Sequence, residues 1–155
     1  MGNHALQAAV QWWFDSRGSD DLMFDAAVLA AADEVDDTFE ARGGTRLSNL
    51  PKLAERIAIY YSQRDVAMYL STTLNLNARL GYGGPDDKSD ASVYPDSKFR
   101  IVDCTEVADF PPLDPPDATH QYYRRSKIVR ADIASVFAGG AVPPGGLTSL
   151  PPPSV

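Results

Sequence analysis

The sequence predicts an α/β fold, with about three parallel strands and flanking helices. Two observations predict it. Apolar, β-branched runs alternate along the chain with segments whose apolar residues recur at helical spacing. The apolar runs are also nearly unbroken, as strands buried on both faces are, and such alternation points to right-handed crossover units.

Residues 3–14 place Leu6, Ala9, Val10 and Trp13 at helical spacing, which predicts a helix with one buried face; Trp12 falls on its flank, and core packing is expected for both tryptophans. A polar loop, 15–21, breaks it. Residues 24–32 form the first apolar run, and the acidic stretch 33–40 follows. Ser48-Asn49-Leu50-Pro51 offers an N-cap and a first-turn proline for a short helix toward Arg56. Residues 57–62, with Ile57, Ile59, Tyr60 and Tyr61, read as the second strand. A helix is expected from Val66 to about Leu76, with Val66, Leu70 and Leu74 on one side. Residues 77–97, rich in Gly, Asp and Ser, read as a long surface loop, and 99–105 as the third strand. Ser126 should cap a helix running through Phe137 on Ile128, Val129, Ile133 and Val136, stopped by Gly139-Gly140. A domain over 1–138 is therefore expected, with a disordered Pro/Gly-rich tail over 139–155.

Three strands make a thin parallel sheet, which needs cover on both faces and protected edges. The first strand is expected to present an unpaired apolar edge, with self-association as a consequence. At 155 residues the chain suits one domain or half of a larger one. A formal net charge of −7 argues against nucleic acid, and Arg124-Arg125-Ser126-Lys127 reads as a solvated helix start. The one cysteine, Cys104, excludes an internal disulfide and reads as a buried, inert thiol. No apolar run approaches the ~20 residues of a membrane span. No cofactor is implied. Localisation stays open, cytoplasmic by default, because a targeting signal would lie upstream.

In an open parallel sheet the working residues sit beyond the carboxyl ends of the strands. Those loops offer Asp33, Glu34, Asp36 and Asp37, then Ser62, Arg64 and Asp65, then Asp103, Glu106, Asp109, Asp114, Asp117 and His120. His120 is one of only two histidines. A carboxylate on one loop and a histidine on the next could form an acid–base pair, Asp65 orienting His120. Each also has a plain structural role: Asp65 as the N-cap before Val66, His120 as a loop residue beside Tyr122 and Tyr123. A hard-cation site using His120 with Asp114, Asp117 or the 33–37 cluster is the other chemical reading, and no metal is assigned. Ser62 has no Gly-x-Ser-x-Gly setting and reads as a loop hydrogen-bonding group.

Four segments carry a resemblance. Met1-Gly2-Asn3-His4-Ala5-Leu6, Val28-Leu29-Ala30-Ala31-Ala32-Asp33-Glu34-Val35-Asp36, Tyr60-Tyr61-Ser62-Gln63-Arg64-Asp65-Val66-Ala67 and Thr119-His120-Gln121-Tyr122-Tyr123 occur in that order. Together they resemble a bacterial, esterase/lipase-like branch of the alpha/beta-hydrolase superfamily, over most of residues 1–137. The family's His-Ser-Met-Gly-Asn helix opening, Leu-Ala-Ala-Pro-Asp-Val-Asp run, Tyr-x-Ser-x-x-Asp-x-Ala run and Gly-His-Ser-Tyr-like run match these in turn. The resemblance implies a partial alpha/beta-hydrolase fold, in which Met1 follows the nucleophile serine and offers an oxyanion-hole N–H. It further implies Gly2 in the nucleophile elbow, and Asp65 and His120 as triad acid and base. This sequence departs from the pattern with Ala32 in place of Pro, Thr119 in place of Gly, and no serine ahead of Met1.

Two functional expectations follow. One is the C-terminal part of a serine hydrolase of carboxylic-ester or lipid-like substrates, carrying the triad acid and histidine but lacking the nucleophile serine, with Met1 an internal methionine of the family motif. The other is a non-catalytic interaction module that pairs through its exposed strand edge.

Overall fold

The computed structural model describes residues 2–17, 21–40, 47–110, 117–139 and 146–150. The expected strands are three of its four: β1 (Phe24–Ala30), β2 (Ala54–Tyr61), β3 (Phe99–Asp103) and β4 (Gly146–Ser149). All neighbours are parallel, and the order across the sheet is β1-β2-β3-β4. The fourth strand adds one to the expected sheet of about three. It lies inside the stretch 139–155 expected to be disordered; the rest of that stretch beyond Gly139 and Leu150 lies outside the described residues.

Period-two alternation along the strands separates two cores. Leu29, Ile57, Ile59, Tyr61, Phe99 and Ile101 turn to one face, where α1 (Gly2–Arg17) lies with Val10 buried and Leu6, Trp13 and Phe14 packed beside it. Ala58, Tyr60 and Val102 turn to the other, against Tyr122 of α6 (Tyr122–Arg125) and Val129 and Val136 of α7 (Lys127–Phe137). The face of α1 is shifted from the expected one. Ala9 points to solvent, and Trp12 is 62 % exposed rather than tucked against the core.

The acidic stretch 33–40 and the loop 77–97 are both less superficial than their composition suggests. They meet: Leu80 N–H donates to the Glu34 carbonyl at 2.8 Å, Gly81 N–H to the Ala32 carbonyl at 2.9 Å, and Asp36 N–H to the Ala78 carbonyl at 3.3 Å. With their backbone groups paired to each other, both segments can enter the interior. Leu80, in the short α4 (Leu80–Gly83), is fully buried. Phe39 and Tyr94 stack edge-to-face on Phe99, at centroid separations of 5.3 and 5.2 Å. α2 (Leu50–Leu53) is one turn long, because β2 begins three residues before the expected Ile57.

Helix α3 (Val66–Asn75) packs mainly on α4 and on α5 (Asp117–His120), across the carboxyl end of the sheet. Its interior contact is Met68. The side carrying Val66, Leu70 and Leu74 faces solvent.

On the opposite layer, Asp132 of α7 accepts from Tyr60 Oη at 2.6 Å and holds Arg100 bidentately, at 2.6 and 3.1 Å, fastening α7 to β2 and β3. Ser126 caps α7, as expected, by accepting from Val129 N–H at 3.0 Å. Asp109 completes the cap, accepting from Lys127 and Ile128 N–H at 2.7 and 3.2 Å. Burial alone would raise the pKa of Asp109, but the Ser126 hydroxyl and these two N–H groups outweigh it and hold it below its ordinary value. Asp109→Ala is expected to cost about 1 kcal/mol at neutral pH. Because the folded-state pKa is depressed, this stabilisation is complete above the unfolded carboxyl pKa of about 4 and lost as pH falls through the folded value. Urea titrations of both proteins should show the gap closing below about pH 4. A gap independent of pH would contradict the capping role.

Candidate functional site

The carboxyl end of β1, the start of α1, and α3, α5 and α6 converge on one cavity. Its construction starts at residues 62–65, where β2 ends. Ser62 is buried and its Oγ accepts from Arg64 N–H at 3.3 Å, while Asp65 N–H donates to the Ser62 carbonyl at 3.1 Å. This turn delivers Asp65, in extended conformation, to the N-cap of α3. There Oδ1 accepts from Met68 N–H at 3.0 Å. Thr119 Oγ1 accepts from Val66 N–H at 3.1 Å, so a second free N–H of the first turn is satisfied by α5.

The other Asp65 oxygen, Oδ2, lies 2.8 Å from Nδ1 of His120. The Asp65 side chain is fully buried and that of His120 is 27 % exposed. A buried carboxylate with its second oxygen engaged by a backbone N–H accepts from Nδ1–H, leaving Nε2 as the basic nitrogen of the ring. His120 stands edge-on to Tyr123 at 6.2 Å. Next to it, Tyr122 is buried and its hydroxyl donates to the Tyr60 carbonyl at 2.8 Å, anchoring the segment to the end of β2. Burial raises the Tyr122 pKa well above its usual value, which suits a permanent donor. The structure thus brings Asp65 and His120 together, and Asp65 carries both the N-cap and the histidine contact.

The cavity, about 380 Å³, is bounded by Gly2 and Asn3 at the start of α1, by Ala30 and Ala31 at the end of β1, and by Met68. His120, Tyr123 and Asp33 complete its wall. Gly2 is the first residue of α1, and a Cβ there would meet no atom within 4 Å. Met1 lies outside the described residues. Asp33 accepts from Ser71 Oγ at 2.6 Å and pairs with Arg79 at 3.4 Å, which holds the carboxylate at the cavity wall. Ala31 adopts φ +48°, a left-handed conformation that a side chain resists, at the bend where β1 meets the cavity. A second cavity of about 280 Å³ adjoins Thr119 and Tyr122, with Val107, Ala108 and Phe110 as its apolar wall and Ser62 and Arg64 beside them.

The remaining candidates are elsewhere. His4 is on the exposed side of α1, 4.0 Å from the buried Glu34, which accepts from Gln7 Nε2 at 2.7 Å. Glu106 pairs with Arg64 at the surface, and Asp109 caps α7. Cys104 is buried, and burial, with Asp103 adding, pushes its thiol pKa up. Asp114 lies outside the described residues, and among those described no group of three His, Cys, Asp or Glu side chains is placed to hold a metal ion. Sequence reasoning missed the parts played by Tyr122, Thr119 and Gly81. Tyr122 and Thr119 stood in the segment that suggested the histidine, but nothing in their spacing names the carbonyl or N–H that each would meet.

No helix among the described residues is long and apolar enough to cross a membrane. No curated protein and no solved structure matches the chain. A family model described as an alpha/beta hydrolase of unknown function (DUF900) matches residues 1–134, so the match runs from α1 through most of α7 and takes in β1, β2 and β3. With a parallel sheet, helices on both faces and a match over most of its length, the chain belongs to this family of alpha/beta hydrolases.

Proposed function

We propose that Asp65 and His120 are the acid and the base of a serine hydrolase acting on carboxylic esters. The observation that carries the reading is the 2.8 Å contact between a buried Asp65 oxygen and Nδ1 of a His120 that borders the cavity at the start of α1. In this reading a serine ahead of Met1 attacks the ester carbonyl while Nε2 of His120 takes its proton. The imidazolium so formed is stabilised by Asp65 and returns the proton to the leaving alcohol. Water, deprotonated by the same nitrogen, then releases the acid. The Met1 N–H would stabilise the oxyanion, with Gly2 beside it in the elbow. No cofactor is needed for these steps.

The polypeptide extended in frame upstream of Met1 should label covalently with a fluorophosphonate and hydrolyse p-nitrophenyl esters. Absence of both would sink the reading. A second reading, a non-catalytic module pairing through a strand edge, is favoured by β1, which is hydrogen-bonded to β2 alone among the described strands. It calls for self-association of the chain in sedimentation velocity together with no phosphonate labelling.

A further inference from the structure

The wall of the His120 cavity carries a carboxylate to which the acid–base pair gives no task. Asp33 follows β1 and borders the cavity with its side chain 44 % exposed. Both of its contacts fall on one oxygen: Oδ1 accepts from Ser71 Oγ at 2.6 Å and lies 3.4 Å from Arg79 Nε. Among the described residues no donor reaches Oδ2. The carboxylate is thus fixed on one side and open on the other. Its charge is already met by Arg79, so the open oxygen suits a neutral hydrogen-bond donor better than a second cation. Asn3 and Tyr123 add neutral groups that can donate or accept. Gly2, Ala30 and Ala31 are small, and Met68 alone of the bounding side chains is large and wholly apolar.

We propose that Asp33 is a specificity-determining residue, selecting esters that carry a free hydroxyl to donate to Oδ2. A ligand filling the cavity displaces water from that oxygen. An alkyl group would leave an ionised acceptor without a partner, at the full cost of its desolvation, whereas a hydroxyl restores the lost bond. The volume of about 380 Å³ lies at the small end of ligand sites, so the hydroxyl belongs close to the ester group of a short substrate. Ser71 and Arg79 act through Asp33, as positioning residues. Recognition of the hydroxyl stands on the cavity alone; that its bearer is an ester rests on the hydrolase reading.

The test is binding of isosteric pairs to the full chain, by saturation-transfer NMR, which needs no turnover. Hydroxyethyl butyrate should bind at least about tenfold more tightly than propyl butyrate, or ethyl β-hydroxybutyrate than ethyl isovalerate. The pair that shows the preference tells which side of the ester bears the hydroxyl. Asp33→Ala should bring that ratio to about one. Asp33→Asn keeps an acceptor for Ser71 and should lower the ratio at least about threefold, because a neutral amide replaces the charged acceptor. No preference in either pair, or a preference that either variant leaves intact, would overturn the proposal. So would tighter binding of butyrylcholine than of hydroxyethyl butyrate, since Asp33 would then receive a cation. If the preference is present but the upstream-extended protein hydrolyses none of these esters, the role of Asp33 stands and the hydrolase reading falls. If that protein hydrolyses both members of each pair and no preference appears in binding, the hydrolase reading stands and the role of Asp33 falls.

Discussion

Asp65→Asn is expected to lower ester hydrolysis by roughly 10⁴-fold in the upstream-extended protein, with little change in stability. The two oxygens of Asp65 have separable tasks. Oδ1 accepts from Met68 N–H as the N-cap of α3, and an asparagine carbonyl does this about as well. Oδ2 accepts from His120 Nδ1–H. An amide nitrogen there can only donate, so the histidine must turn its proton to Nε2, the nitrogen that the reaction needs as a base. Asp65→Ala removes both contacts and should add a stability loss of about 1 kcal/mol from the missing cap. His120→Ala should reduce turnover further than Asp65→Asn does, since losing the base itself costs more than losing the group that orients it. The check is kcat/KM on p-nitrophenyl esters alongside thermal melts. More than roughly a tenth of the activity surviving in Asp65→Asn would remove the orienting role from Asp65.

Gly81→Ala is expected to destabilise the fold by about 3 kcal/mol or more. A Cβ on Gly81 would lie 2.5 Å from the Ala31 carbonyl carbon and 2.5 Å from the Ala32 nitrogen, and both are backbone atoms that no rotamer change can move. The neighbourhood is already strained, with Ala31 at φ +48°. Gly81 also donates to the Ala32 carbonyl at 2.9 Å and accepts from Ser62 N–H at 3.1 Å, bridging the ends of β1 and β2 at the cavity. Any shift that relieved the clash would stretch one of these bonds. The midpoint of urea denaturation measures the effect, and a loss below about 1 kcal/mol would mean that the 31–33 bend yields easily. Gly83 is the control: a Cβ there meets nothing within 4 Å, so Gly83→Ala should have a far smaller effect.

What the sequence alone determined about this protein is what local chemistry encodes. Unbroken apolar runs mark strands buried on both faces, and β1, β2 and β3 stand where those runs are. Ser126 and Asp65 precede helices as side chains able to cap them, and both do. That Asp65 and His120 stand on loops at the carboxyl edge of the sheet was legible because a parallel sheet collects the ends of its strands at one edge. Contacts between distant segments had no such local signature. Residues 77–97 look like a surface loop by composition, yet pairing with 32–36 satisfies their backbone and lets Leu80 enter the core. Gly146–Ser149 has weak strand propensity, and its place in the sheet comes from pairing with β3. The period of α3 was visible, but tertiary packing decided which side faces inward, because Asp65 and Thr119 pin its first turn and turn Met68 to the cavity. The 2.8 Å contact between Asp65 and His120 is of the same kind, since 55 residues separate the partners and only the folded sheet brings them together.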